Sequence, residues 1–219
     1  MFILNRESLS ELGTSASRIF TGLQYLMNSR FVNSISNSIS NISAHYDISN
    51  DMFEAFLSRD MTYSCGIYQT SENRSEDDLE NAQYAKLQHI IQRANIRKGD
   101  RVLEIGSGWA SFAIEAVKTC GCTVDTLTLS VEQKKLAEER IEAAGLTESI
   151  TVHLMDYRNM PKEWEKAFDR VVSIEMIEAV GLEFLDTYFK MVDFALKADV
   201  GVGVFQVITM PEKRFERYQ

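Results

Sequence analysis

The chain has 219 residues, 45% of them hydrophobic, and a formal net charge of −9. Such apolar content supports a buried core, while the negative balance repels phosphate backbones and excludes nucleic acid as a general partner. No apolar stretch is long enough to cross a bilayer, and Cys65, Cys120 and Cys122 follow neither a disulfide framework nor zinc spacing, so they read as reduced thiols of a cytoplasmic protein with no metal site.

Residues 1–43 read as an N-terminal helix and a linker. Over 12–27 one amphipathic helix fits, with Ile19, Leu23 and Leu26 on a shared face, and 33–41 is a low-complexity Ser/Asn run. Arg6, Arg18 and Arg30 among serines give a faint transit-peptide character, which Glu7 and Glu11 oppose. Residues 44–98 read as a helical cap on the domain that follows. Apolar spacing predicts a helix over 45–57 with Asn50-Asp51 placed to cap it, a polar loop over 71–78, and a helix over 79–93. Leu79, Tyr84, Leu87, Ile90 and Ile91 fit the buried side of that helix.

Residues 99–219 alternate between strand and helix patterns. Strands are predicted over 101–105, 123–129, 150–155, 169–174 and 202–208, with helices over 109–119, 130–144 and 184–196. Ser130 stands at the N-cap of the second helix and Gly145 at its end. This alternation predicts an α/β Rossmann-like fold: a parallel sheet of order 3-2-1-4-5, helices on both faces, and right-handed crossovers.

Ligands of such sheets bind beyond the carboxyl ends of the strands. The polar strand-end segments are therefore the candidate site. Gly106, Ser107, Gly108 and Trp109 follow the first strand, and two glycines let the backbone turn sharply beside a helix N-terminus. A full dinucleotide fingerprint would place glycine where Ser111 stands, so a nucleoside without pyrophosphate fits better. Glu104 can accept from a ligand's ammonium or hydroxyls; the alternative is an ordinary turn with a solvated glutamate. Thr128, Leu129 and Gln133 offer neutral hydrogen bonds where a nicotinamide enzyme would favour an acid for the ribose. Asp156 and Tyr157 can bond to and stack on a purine, or be a surface Asp and a half-buried Tyr. Glu175 and Glu178, three apart, share a face of a helical turn and can both reach the crevice, or stand solvated. Cys65, in Tyr63-Ser64-Cys65, is by default a small buried hydrophobe.

Several segments together resemble the cyclopropane-fatty-acyl-phospholipid synthase family. They are Asn41-Ile42-Ser43-Ala44-His45-Tyr46-Asp47-Ile48-Ser49-Asn50-Asp51, Met61-Thr62-Tyr63-Ser64-Cys65, Leu103 to Trp109, Leu127 to Ser130 with Gln133, Asp156-Tyr157-Arg158, and Ser173 to Gly181. The glycine motif is common among methyltransferases; the first, second and last segments are more specific. The resemblance implies a class I methyltransferase fold and S-adenosylmethionine as cofactor. It places Tyr63 and Ser64, with the glycine loop, at the amino-acid end, Thr128 and Gln133 near the ribose, and Tyr157 beside the adenine. It further implies a bicarbonate ion held by Cys65 and Glu178, with Gln206 where many members carry histidine. The substrate it implies is the double bond of an unsaturated phospholipid acyl chain.

The resemblance covers roughly residues 41–218 and also implies what lies beyond: a lid, further strands and another tyrosine at the ion. On that reading the sequence is the N-terminal portion of a synthase, without the last strands of the sheet. Cyclopropanation by these 219 residues alone is expected to be undetectable. Peripheral membrane contact fits the lipid substrate, although the stretch before the first motif carries only Arg30, and a homodimer is compatible with the sequence. Two alternatives stay open: a small-molecule N-methyltransferase of the coclaurine type, which shares Tyr-Ser-Cys and the glycine motif, and a cofactor-binding fragment without turnover.

Overall fold

The structure, a computed structural model, describes residues 50–68 and 78–211. All of them belong to the unit Ile42–Gln219. The helix expected over 12–27 and the Ser/Asn run lie outside the described residues, as does most of the polar loop expected over 71–78.

The elements in chain order are α1 (Asn50–Glu54), α2 (Asp78–Ala94), β1 (Arg101–Ile105), α3 (Ser111–Cys120), β2 (Thr123–Thr128), α4 (Val131–Ala143), β3 (Ile150–Leu154), β4 (Arg170–Ile174), α5 (Leu185–Ala195) and β5 (Val202–Gln206). Short 3₁₀ turns fill the chain between β3 and α5. All five strands pair in parallel, in the order β3-β2-β1-β4-β5. The order read from the alternation of patterns is the one observed.

The two faces of the sheet follow from the two-residue period of a strand. Val102, Val124 and Val172 face a core made with Leu87, Ile90 and Ile91 of α2, Phe112 and Ala116 of α3, and Ile141 of α4. Leu103, Leu127 and Val171, an odd number of residues away on the same strands, face the opposite core, with Trp164, Phe168 and α5 residues Tyr188 and Val192. Burying both faces explains why the strands read as near-continuous apolar runs.

Several boundaries and burials differ from expectation for local reasons. The helix after the glycine loop starts at Ser111, not residue 109, because Gly108 and Ala110 hold φ of 48° and 67°. Ser130 caps α4 as expected, its hydroxyl accepting from the Gln133 amide at 3.1 Å. Asn50 is the first described residue of α1, and its side-chain oxygen accepts the Trp109 indole N–H at 2.8 Å. Tyr84, expected on the buried side of α2, is 55% exposed. The fifth strand ends at Gln206, two residues early, and the Ile208 amide turns to the Glu178 carboxylate.

Candidate functional site

The carboxyl ends of β4 and β5 meet the 61–66 segment through Cys65, and the glycine loop after β1 joins the end of β2. At the end of β1 the chain reverses through Gly106, with φ +100°, and Gly108. The amides of Gly106 and Ser107 donate to the Leu127 carbonyl at 3.1 and 2.8 Å, which ties the loop to β2. A Cβ on Gly106 would lie 3.1 Å from the Met176 side chain, so the loop and the turn after β4 meet there.

Glu104 is not solvated. It is 2% exposed, and its carboxylate accepts from the Thr126 hydroxyl at 2.6 Å. Burial raises its pKa to about 8, against the opposing pull of the Thr126 bond and the Lys86 charge. Lys86, reaching in from α2, is 1% exposed; burial lowers its pKa to about 8, while Asp60 and Glu175 favour its charged form. Its ammonium donates to the Ser64 hydroxyl, and Gln83 one turn earlier donates to the Ser64 carbonyl at 2.7 Å. Neither Lys86 nor Gln83 stands out in the sequence, where a Lys and a Gln on a helix read as solvated positions. Their only signal is a spacing of three that puts both on one face.

Cys65 is exposed, against the default of a buried thiol, and all three cysteines are free. The Cys65 amide donates to Glu175 Oε1 at 2.9 Å. Gln206 Nε2 donates to the same oxygen at 2.7 Å and to the Cys65 carbonyl at 3.3 Å. Cys65 and Gln206 are thus brought together, and the residue that joins them is Glu175, at φ +46° just past β4. Glu178 accepts the Ile208 amide. Tyr63 is half exposed and packs edge-on against Phe53, with ring centroids 5.5 Å apart.

Thr128 donates to Gln133 Oε1 at 2.8 Å and accepts from the Ser130 amide at 3.1 Å, so the expected neutral pair is preassembled at the end of β2 beside Leu129. Asp156 is buried, not a surface residue. Its carboxylate caps the turn Tyr157–Asn159 and holds the Arg158 backbone amide and guanidinium. Its charge is paired with Arg158. Tyr157 is partly buried, edge-on to Tyr188 at 5.2 Å. Trp109 is 1% exposed and packs on Phe53 and Met61, away from solvent.

The arrangement fits a cationic nucleoside. A buried carboxylate at the glycine loop can receive an ammonium, and neutral donors and acceptors line the end of β2. It fits a small oxyanion in a restricted sense: the Cys65 amide and the Gln206 amide group form a donor pair, which Glu175 occupies with its own carboxylate.

A parallel sheet in this order, with two glycines after its first strand, is the Rossmann-like fold of class I methyltransferases. The structure superposes on mycolic acid cyclopropane synthase CmaA1, solved in complex with SAH and CTAB, with a TM-score of 0.67 at 30% identity, covering 76% of this chain and 55% of that one. Residues 33–219 match the mycolic acid cyclopropane synthetase family, and the chain belongs to it. It is 39% identical over 177 residues to the tuberculostearic acid methyltransferase UfaA1 of Mycobacterium tuberculosis, which covers 80% of this chain. It is 39% identical over 170 residues, 78% of its length, to the cyclopropane-fatty-acyl-phospholipid synthase of Escherichia coli. The chain spans 40% of the length of each of these two relatives.

Proposed function

We propose that this chain is the cofactor-binding part of an S-adenosylmethionine-dependent methyltransferase that acts on the double bond of an unsaturated phospholipid acyl chain. The observation that carries the reading is the placement of Tyr63-Ser64-Cys65 over the strand ends, fastened to α2, Glu175 and Gln206 beside the glycine loop. S-adenosylmethionine, when bound, supplies a methyl group on a cationic sulfonium, which a weak alkene nucleophile requires in line with its double bond.

The residues divide the work. Glu104 receives the cofactor's ammonium, and Gly106, Ser107 and Gly108 let the backbone approach it. Thr128 and Gln133 bond the ribose hydroxyls, and Tyr157 flanks the base. Tyr63 lends an aromatic face to positive charge developing on the substrate. Closing a cyclopropane ring requires removal of a proton from the transferred methyl, and a held bicarbonate would supply that base. Cys65 and Gln206 provide the donors for such an ion once Glu175 withdraws, and Glu178 can accept its O–H. Cys65 positions and forms no bond to carbon. We read the protein as cytoplasmic, with peripheral contact to the membrane that holds its substrate; no helix among the described residues is long and apolar enough to cross one.

The test is a hybrid in which residues 42–211 replace the matching segment of the E. coli synthase. It is given unsaturated phospholipid vesicles, bicarbonate and methyl-labelled S-adenosylmethionine. Label in the acyl chains, located by mass spectrometry, is the expected result. A folded hybrid that binds cofactor yet labels no acyl chain would overturn the lipid assignment, and label on an added amine would move it to N-methylation.

A further inference from the structure

We propose that Lys86 is a positioning residue of the cofactor site, holding Ser64 over the strand ends and supplying the buried counter-charge to Glu104. This rests on the reading of the crevice as an S-adenosylmethionine site.

The argument begins with burial. A lysine 1% exposed has given up its water shell, which is costly unless charge and hydrogen bonds compensate. The compensating groups come from three separate stretches of chain: in 60–65 Ser64 accepts from the ammonium, and the charges of Asp60, Glu175, Cys65 and Glu104 favour its charged form. Gln83, on the same helix face, fixes the Ser64 carbonyl, so two side chains of α2 grip one residue by both of its oxygens. A helix that needed only to pack would place aliphatic residues here, as it does at Leu87, Ile90 and Ile91.

Glu104 has two direct influences besides burial, the Thr126 hydroxyl and Lys86. A cationic ligand binds best when Glu104 is ionised, so affinity rises with pH as that carboxyl loses its proton. Lys86 favours the ionised form. Removing its charge therefore moves the transition to higher pH, whereas a purely structural lysine would leave it in place. The two groups titrate as a coupled pair, both near pH 8, so the transition belongs to both.

The experiment is calorimetric titration of the full chain with S-adenosylmethionine from pH 6 to 9, for the parent, Lys86→Met and Gln83→Met. The cofactor's own amine titrates alike in all three and cancels. Lys86→Met keeps the aliphatic stem; circular dichroism confirms that it folds. We expect it to weaken binding about tenfold at pH 7.5 and to raise the midpoint by about one pH unit. Gln83→Met should weaken binding with the midpoint unmoved. An unmoved midpoint in Lys86→Met overturns the proposal. If the parent binds no cofactor, the functional reading fails, and the carboxyl carbon of Glu104, followed by NMR in the unliganded chain, decides the inference separately. A midpoint higher in Lys86→Met than in the parent upholds the coupling, and equal midpoints end it.

Discussion

Glu104 gives the chain a pH-dependent stability that can be measured without any ligand. Burial lifts its pKa from 4.5 to about 8 in the folded chain. As pH rises, the unfolded chain therefore loses this proton first. The contribution to stability is greatest below about pH 4.5, falls between 4.5 and 8, and levels off above 8. Lys86, lowered from 10.5 to about 8 in the folded chain, adds a slope of opposite sign that begins only as pH approaches 8 and is common to the parent and a Glu104 variant to first order. Glu104→Gln should remove this decline, so that urea unfolding finds the variant gaining on the parent by on the order of a few kcal/mol between pH 5 and 8; parallel curves would contradict the burial argument. Gly106 answers to a different constraint. At φ +100°, a β-branched residue is forced into a region that disfavours L side chains, and its Cβ meets Met176. Gly106→Val is expected to cost about 2 kcal/mol in thermal unfolding and to abolish cofactor binding in a titration, with the circular dichroism spectrum retained. At this scale the sequence was an uneven guide. The placement of Glu104 and Thr128 at strand ends, with Gln133 in the first turn of the next helix, was legible from the alternation of strand and helix patterns. Spacing alone puts Glu175 and Glu178 on one face and the resemblance pointed to Glu178; that Cys65 and Gln206, from distant parts of the chain, both bond Glu175 was not legible.

Among the elements, α4 does more than cover the sheet. Its Arg140 bonds the Trp109 carbonyl, the Ser111 hydroxyl and, at 2.8 Å, the Asp60 carbonyl. It therefore ties the glycine-loop end of α3 to the loop after α1, where Asp60 in turn accepts from the Ser58 and Thr62 hydroxyls. Arg140→Met would leave buried carbonyls without this donor, at about 2–4 kcal/mol by chemical denaturation. Amide exchange should accelerate over 58–62 and leave β1 to β3 unchanged; uniform acceleration would mean that the arginine supports the fold as a whole. The elements were readable from apolar periodicity. What escaped was the edge of the buried arc on α2: Tyr84 lies just outside it, while Gln83 and Lys86 lie within it at positions that polarity alone assigns to solvent.

For the whole molecule, the sheet's outer strand sets solution behaviour. Among the described residues no strand pairs with the far edge of β5. Beside it Val200, Ile208 and Met210 are 62%, 68% and 51% exposed. Unpaired backbone next to apolar surface is a template for association. Light scattering of the 219-residue chain should show concentration-dependent self-association, and the pair Val200→Lys with Ile208→Lys should reduce it about tenfold or more. Association unchanged by these lysines would place the contact elsewhere. The strand order was legible because right-handed crossovers leave few arrangements for five alternating strands. The positions of the charged groups around Lys86 were not, because they are set by contacts between stretches of chain far apart in sequence.

The junction at Glu175 also dictates when the site can come into being. The bond from Cys65 to Glu175 spans 110 residues, and that from Gln206 to Cys65 spans 141. Contacts of such separation repay their loop-closure entropy only after the intervening chain is ordered. In a refolding time course the Cys65 amide should therefore gain exchange protection last, after the strands it bridges, and the ability to bind ligand should appear with it rather than with the sheet.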